Sequence, residues 1–465
     1  MTETMTPQQR LVVAVAALAS FVAFLDGTIV NVALPAIGEE LGGGLITQQW
    51  VVDAYLITLS ALILLAGSAS DAYGRILVMR IGLIGFGIAS VAIALAPTPL
   101  VLIVARALQG AAGAFLVPSS LALITSTMRG PLQARAIGMW TALTTAAMIV
   151  GPVIGGLFVD FLSWRLAFVV NVVPIALTLW LLTRLTAKDH RDPGASIDWL
   201  GGILCTLGLG LAVFALIEQP RLGWISPAIW LPLGLGILFF VLFLVRQRTV
   251  AHPILPLGLF RIRNFSAGNV ATLFVYGALS LNGFVVAVYL QQGAGLSATA
   301  AGLASLPVTV LMVLLSSRMG TLAGRLGPRL FMTVGPLMMA VGALLLLTVG
   351  AAFDYWTQVL PSMIVFGLGL AATVSPLTSA ILGSVDTDRS GIASAVNNAV
   401  ARVAGLLVIA MLALIVGGDL DLDGFHRAAI VTALLLAAGG LISWAGIRNP
   451  PHAASAAPTT DAGGA

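Results

Sequence analysis

Apolar residues run along this chain in long unbroken stretches, separated by short polar interruptions. A bilayer core is about 30 Å thick and takes about 20 apolar residues per helical crossing. Runs of that length recur at 11–34, 49–69, 80–97, 100–127, 136–160, 166–184, 199–217, 228–245, 266–290, 299–317, 330–350, 357–381, 395–416 and 428–447, about fourteen in all. None shows the two-residue alternation of a membrane strand, so the runs predict helices. With no water in the hydrocarbon, a spanning backbone must satisfy its own hydrogen bonds, and a helix does so within one segment. The pattern predicts an all-α integral membrane protein.

Composition agrees: 59% of the 465 residues are hydrophobic and 9% are charged, where a soluble domain carries about 25%. The basic residues give an independent check on the span count. With the amino terminus in the cytoplasm, the outer loops hold only Arg165, Arg221 and Arg427, while Arg106 and Arg402 fall within or at the edge of spans. Every other one of the 22 Lys and Arg residues is then cytoplasmic, as the positive-inside rule requires. This favours an even number of spans with both termini inside, and it accounts for the high pI without nucleic acid. The first run, Leu11 to Pro35, is too long for a signal-peptide core, lacks a small-residue cleavage site and is read as a retained span.

The interruptions divide the chain into a six-helix half (1–184), a polar cytoplasmic linker (185–198), an extra two-helix hairpin (199–245), a basic cytoplasmic loop (246–265), a second six-helix half (266–447) and a tail (448–465) expected to be disordered. An internal repeat supports the two halves. Gly67-Ser-Ala-Ser-Asp71-Ala-Tyr-Gly74-Arg75 follows the second span, and Gly320-Thr-Leu-Ala-Gly324-Arg325-Leu-Gly327 follows the tenth. Both are read as loops, with Gly74 placed where a turn needs positive φ. Leu116-Val-Pro118-Ser and Val374-Ser-Pro376-Leu stand at matching offsets. Halves paired in this way hold a substrate site near the midplane, at their interface.

A charge within a span costs roughly 2.5–3.5 kcal/mol on insertion scales, so each needs a reason. Asp26, Arg106 and Asp53 lie roughly 12, 9 and 6 Å below the outer boundary at 1.5 Å per residue, and share one level of the first half. Asp26 and Arg106 are read as functional in preference to a purely structural ion pair. Asp53 is functional or snorkels to the interface. Burial and a nearby guanidinium act in opposite directions on a carboxyl group, so an aspartate in such surroundings can gain and lose a proton as access alternates. Asn31, Gln109, Asn282, Gln291, Asn397 and Asn398 are candidates to line a cavity, with interhelical hydrogen bonds the competing role. Asp160 and Glu218, at span ends, are read as solvated, and Arg402 as a contact on the cytoplasmic side.

Four motifs resemble the major facilitator superfamily, and within it the fourteen-spanner drug:proton antiporter branch (the QacA/EmrB type). Leu25-Asp26-Gly-Thr28-Ile-Val-Asn31-Val-Ala-Leu-Pro35 is similar to that branch's own signature. Gly67 to Arg75, with Asp71 and Gly74, resembles the superfamily's gating loop, although Ala69, Ala72 and Ile76 depart from it. Arg106-Ala-Leu-Gln109-Gly110-Ala-Ala-Gly113 resembles the span-four motif. Gly138, Gly151, Pro152, Gly155 and Gly156 resemble the span-five antiporter motif, with Ala147 in place of a glycine. The resemblance implies a major facilitator fold of two six-helix halves plus two extra central helices. It implies a monomer in a bacterial cytoplasmic membrane that exchanges protons for small amphipathic or cationic compounds. A dedicated exporter of one metabolite, antibiotic, lipid or sugar fits the same motifs.

Enzymatic readings find no support. The sequence holds no H-E-x-x-H, no P-loop and no nucleophile–histidine set. His190, His252, His426 and His452 are not at metal-ligand spacing, and the single cysteine, Cys205, sits in an apolar run. No cofactor or metal is expected.

Overall fold

The computed structural model describes residues 5–186, 189, 191, 196–386 and 389–449. The expected disordered tail lies outside the described residues from 450 onward. The described chain is helical, and thirteen helices are long and apolar enough to cross a membrane. A shorter apolar segment, Leu166–Leu182, stands in the sixth position.

The first half comprises α1 (Pro7–Leu41), α2 (Gly44–Tyr73), α3 (Arg75–Ala94), α4 (Pro99–Gly113) with α5 (Leu116–Thr127), α6 (Gly130–Phe161), and α7 (Leu166–Val169) with α8 (Val172–Leu182). The hairpin is α9 (Trp199–Leu222) and α10 (Pro227–Thr249). The second half comprises α11 (Arg263–Gln292), α12 (Ala298–Ala304) with α13 (Leu306–Leu326), α14 (Pro328–Leu345), α15 (Leu360–Leu382), α16 (Ser390–Ala410) with α17 (Leu412–Val416), and α18 (Leu422–Gly446).

Two features differ from the sequence reading. The expected gating loops are helix ends: α2 continues to Tyr73 and α13 to Leu326. Each is followed by one glycine, Gly74 at φ +102° and Gly327 at φ +89°. A conformation that side chains avoid makes the whole turn, so a longer loop is unnecessary. The sixth span is interrupted at Val170 and Asn171, where Pro174 has no N–H for the Val170 carbonyl and Val173 bonds it instead, in a tighter turn.

The halves meet through two related pairings. In one, α2 packs on α16; in the other, α6 packs on α12 and α13. These are the second and fifth spans of one half against the fifth and second of the other, the exchange a pseudo-twofold axis requires. The hydrogen bonds found between the halves lie at the end away from the amino terminus. Gln49 donates to the Ile409 carbonyl (2.7 Å). Gln291 donates to the Val32 carbonyl (3.2 Å). Asp160 accepts from the Ala298 and Thr299 amides, each at 2.8 Å. The bundle is latched at that end. Asp160, exposed as expected at a span end, also caps a helix of the other half.

The hairpin packs through α9 on α2, α16 and α17, whereas α10 rests chiefly on α9. Glu218, also expected to be solvated, is buried and accepts from Trp50 Nε1 (3.0 Å) while paired to Arg221 (2.8 Å). It fastens α9 to α2. Stripes of exposed side chains, such as Ile81, Ile84 and Ile88 on α3 and Ile237, Leu238 and Val241 on α10, give the bundle its apolar outer belt. Such surface belongs against hydrocarbon.

Candidate functional site

Asp26 and Arg106 come together in the interior of the first half. Arg106 Nη1 donates to Asp26 Oδ2 at 2.7 Å, with the side chains 1% and 0% exposed. The remaining hydrogen-bonding capacity of the pair is filled in turn. Gln109 Nε2 donates to Asp26 Oδ1 (2.9 Å), as does Asn171 Nδ2 (3.0 Å). Arg106 also donates to Gln109 Oε1 (2.6 Å) and, through Nε, to the Val51 carbonyl (2.9 Å). Gln109 reaches Ser90 Oγ at 2.9 Å. The guanidinium lies 4.4 Å from the Tyr55 ring centroid and 5.7 Å from that of Phe168. Five segments, α1, α2, α3, α4 and the stretch from α7 to Asn171, contribute to it.

A buried pair is favourable only when its remaining donors and acceptors are satisfied, and here they nearly all are. Arg106 and Gln109 are three residues apart on α4 and therefore share one face. Asp26 lies seventeen residues before Gly43, where α1 turns back toward α2, which places it well inside the span. Asn171, Ser90 and Tyr55 were not singled out from sequence. The available signal for Asn171 was a lone amide in the run 166–182; a serine and a tyrosine in a span carry none.

Asp53 does not join this pair. It is fully buried, and among the described residues neither carboxylate oxygen has a hydrogen-bond partner. Its helical neighbours face the hairpin and α16: Trp50 bonds Glu218, Ile57 lies near Gly210, and Leu56 lies near Gly405. The shared level of three charges is therefore a pair plus a separate carboxyl.

A cavity of about 230 Å³ lies between the halves. Thr28 and Asn31 of α1, Met148 and Pro152 of α6, and Asn282 of α11 contribute to its wall. Asp26 is two residues from Thr28, behind this wall. Of the candidate cavity residues, Asn31 and Asn282 line the space. Gln109 belongs to the buried network. Gln291 latches the closed end, bonding the Val32 and Ala287 carbonyls. Asn397 bonds Asn269 (3.2 Å) and Thr272 (2.8 Å) within the second half. Asn398 is exposed on α16, with no hydrogen bond among the described residues. No residue of 199–245 lines this cavity. A larger space of about 650 Å³ opens at the latched end, among Gly44, Gln48, Tyr289 and Asp421, and does not reach the ion pair.

The span-five glycines sit where helices touch. A Cβ on Gly151 would collide with Thr28 and one on Gly155 with Ile29, both on α1; one on Gly156 would stand 2.5 Å from Thr299 Cα in the other half. Pro152 meets Gly302 across the same seam. At the opposite end Gly67 has open space around it, and Asp71 pairs with Arg75 (3.3 Å) on a largely exposed surface. Arg75 also donates to the Ala122 carbonyl (3.2 Å). The first amides of α3 are capped from the linker: Asp189 accepts from Ile76 (3.1 Å) and Leu77 (2.9 Å). Asn449 does the same for Arg329 of α14 (3.1 Å). In each half, a residue following the sixth span caps the third.

A latched two-half helical bundle with a buried acid–base pair beside an interfacial cavity defines a multi-pass membrane transporter class. The chain belongs to the Major Facilitator Superfamily, whose model matches residues 16–409. It is 34% identical over 410 residues to the puromycin resistance protein pur8 of Streptomyces alboniger, covering 85% of this chain and 79% of that one. It is 33% identical to the methylenomycin A resistance protein of Bacillus subtilis, covering 87% of each. It is 32% identical to the tetracenomycin C resistance and export protein of Streptomyces glaucescens, covering 87% of this chain and 76% of that one. In fold it is similar to a crystallised D-xylose-proton symporter, with a TM-score of 0.69 at 15% identity, covering 95% of this chain and 98% of that one.

Proposed function

We propose that this chain is a proton-coupled antiporter that exports small amphipathic organic compounds by alternating access. In this reading it works as a monomer in a bacterial cytoplasmic membrane with both termini in the cytoplasm. Residues 1–184 and 266–447 are the moving halves, and the hairpin 199–245 stands outside the transport path. The observation that carries it is the buried Asp26–Arg106 pair directly behind the cavity wall. A carboxylate held by one guanidinium and two amides changes its partners when it takes a proton, and the helix bearing it, α1, also bears Thr28 and Asn31 of the cavity. Proton exchange at Asp26 and the shape of the cavity thus share one rigid element. With the termini inside, the latched end is the outer one, and the cavity is served from the cytoplasm.

The relatives support export. Three of them are named for resistance to one antibiotic each, which favours a dedicated exporter with a narrow substrate range as the second reading. Uptake of candidate compounds into everted vesicles under an imposed pH gradient tests both. Gradient-driven accumulation supports export, and the number of accumulated compounds separates broad from narrow range. Accumulation that ignores the gradient would contradict proton coupling.

A further inference from the structure

Asp53 and Arg402 of α16, both deep in their spans, have neither ion pair nor hydrogen bond among the described residues; Asp53 is fully enclosed, whereas Arg402 is only half-buried. It lies twelve residues beyond Ser390, the start of that helix. At 1.5 Å per residue this is about 18 Å into the bundle. The side chain is half-buried, and Gly405, one turn further along α16, lies against Leu56 of α2 and Ser280 of α11. It therefore points between the halves, not at the outer apolar belt. This also corrects the expectation of a contact at the cytoplasmic side: α16 begins at Ser390, so position 402 is well inside the span.

Four residues earlier on the same face stands Asn398, exposed and likewise without a hydrogen bond among the described residues. Asn397, its neighbour in sequence, is turned the other way and fixed to α11 by Asn269 and Thr272. These bonds hold the rotation of α16, so Asn398 and Arg402 keep one orientation. Asp26 is neutralised by Arg106, and Asp53 is fully enclosed. Arg402 is thus a deep cation without a counter-charge among the described residues, and it is not sealed in.

A cation at this depth needs a compensating partner. A guanidinium presents a planar fork of donors that suits a carboxylate, sulfonate or enolate oxygen pair, and the Asn398 amide adds a further donor. We propose that Arg402 and Asn398 are the docking point for an anionic group of the transported molecule, so that the substrates of this chain are amphipathic organic acids rather than cations. This rests on the export reading above and narrows it. The docked anion supplies the missing counter-charge on α16, the helix that packs on α2, where Tyr55 stacks against Arg106.

Fluorescein and rhodamine 123 test this, because they share a tricyclic scaffold and carry opposite charges. Binding to the full chain in neutral-lipid nanodiscs is followed by fluorescence polarisation. Wild type should bind fluorescein about tenfold more tightly than rhodamine 123, the effect of one well-made charged contact. Arg402→Gln should lose that preference through weaker fluorescein binding, without weakening rhodamine 123 binding, and Arg402→Lys should restore part of it. Equal binding of the two dyes, a preference for rhodamine 123, or a ratio unaltered by Arg402→Gln overturns the anion site. Everted vesicles separate this from export itself. If they move rhodamine 123 but not fluorescein, the anion site falls and export stands. If they move neither dye while fluorescein still binds through Arg402, the anion site stands and export falls.

Discussion

Arg106 reaches Asp26 across 2.7 Å between two helices of one half, and both side chains are sealed from solvent. Breaking such a pair from one side leaves a buried charge without compensation, at a cost of about 3–5 kcal/mol. Arg106→Ala is therefore expected to lower the thermal stability of the detergent-purified protein clearly. Asp26→Asn leaves the buried Arg106 guanidinium without its counter-charge and should lower it by a comparable amount. The double variant should be less damaged than the sum of the two, since both act on one network. Melting curves of the three variants check this; strict additivity would show that the two residues do not act together.

The latched end depends on close approach. A side chain at Gly156 has no room beside Thr299, so Gly156→Val should force α6 and α12 apart. Cysteines placed at Asn31 or Asn282, in a background where Cys205 is replaced by serine, then report the change. In the Gly156→Val chain they should react with an impermeant thiol reagent from the face opposite the termini, several-fold faster than in the parent. Unchanged labelling would mean that this seam does not control access.

The caps from outside each half make a paired prediction. Asp189→Ala and Asn449→Ala each free first-turn amides that have no partner within their own helix. Each should cost about 1 kcal/mol, the size of an ordinary helix cap. Faster hydrogen exchange should appear at Ile76 and Leu77 in one variant and at Arg329 in the other. Equal protection in parent and variant would remove the capping role.

Asp198, before α9, is a pH-sensitive fastening of the hairpin. Burial alone would raise its carboxyl, but the Gly201 amide, Arg246 and Gln247 outweigh burial and hold it below the ordinary value. The folded value lies below the unfolded one of about 3.9. Its stabilisation is therefore complete above that pH and is lost as the pH falls through the lowered folded value. The melting-temperature gap between the parent and Asp198→Asn should be full at pH 7 and shrink on acidification below about pH 4. A gap independent of pH would contradict this.

Much of the architecture was legible because lipid imposes so few solutions. Apolar run length gave the crossings, and the glycine repeats at Gly74 and Gly327 marked equivalent turns. Asp26, Arg106 and Gln109 were legible because charge and amide are rare at such depth. The partners of that network were less so. Asn171 lies in a span that looked continuous, and Tyr55 contributes through a ring face that no spacing announces. Asp53 shows a limit of another kind: depth along a helix predicts level but not azimuth. It shares the level of Asp26 yet looks toward the hairpin. Glu218 stands near a span end, where solvation was the natural expectation, yet it is buried against Trp50; Asp160 is exposed as expected and still closes a contact between segments far apart in sequence.

The central claim is that Asp26 is the proton-bearing group that drives export. The most direct measurement is substrate accumulation in everted vesicles under an imposed pH gradient, comparing the parent with Asp26→Asn at matched protein levels. The variant keeps the side-chain shape and loses the exchangeable proton. The account predicts that gradient-driven accumulation disappears, while binding of the same substrate to the purified variant persists. Full gradient-driven accumulation by Asp26→Asn would contradict it and move the proton to Asp53.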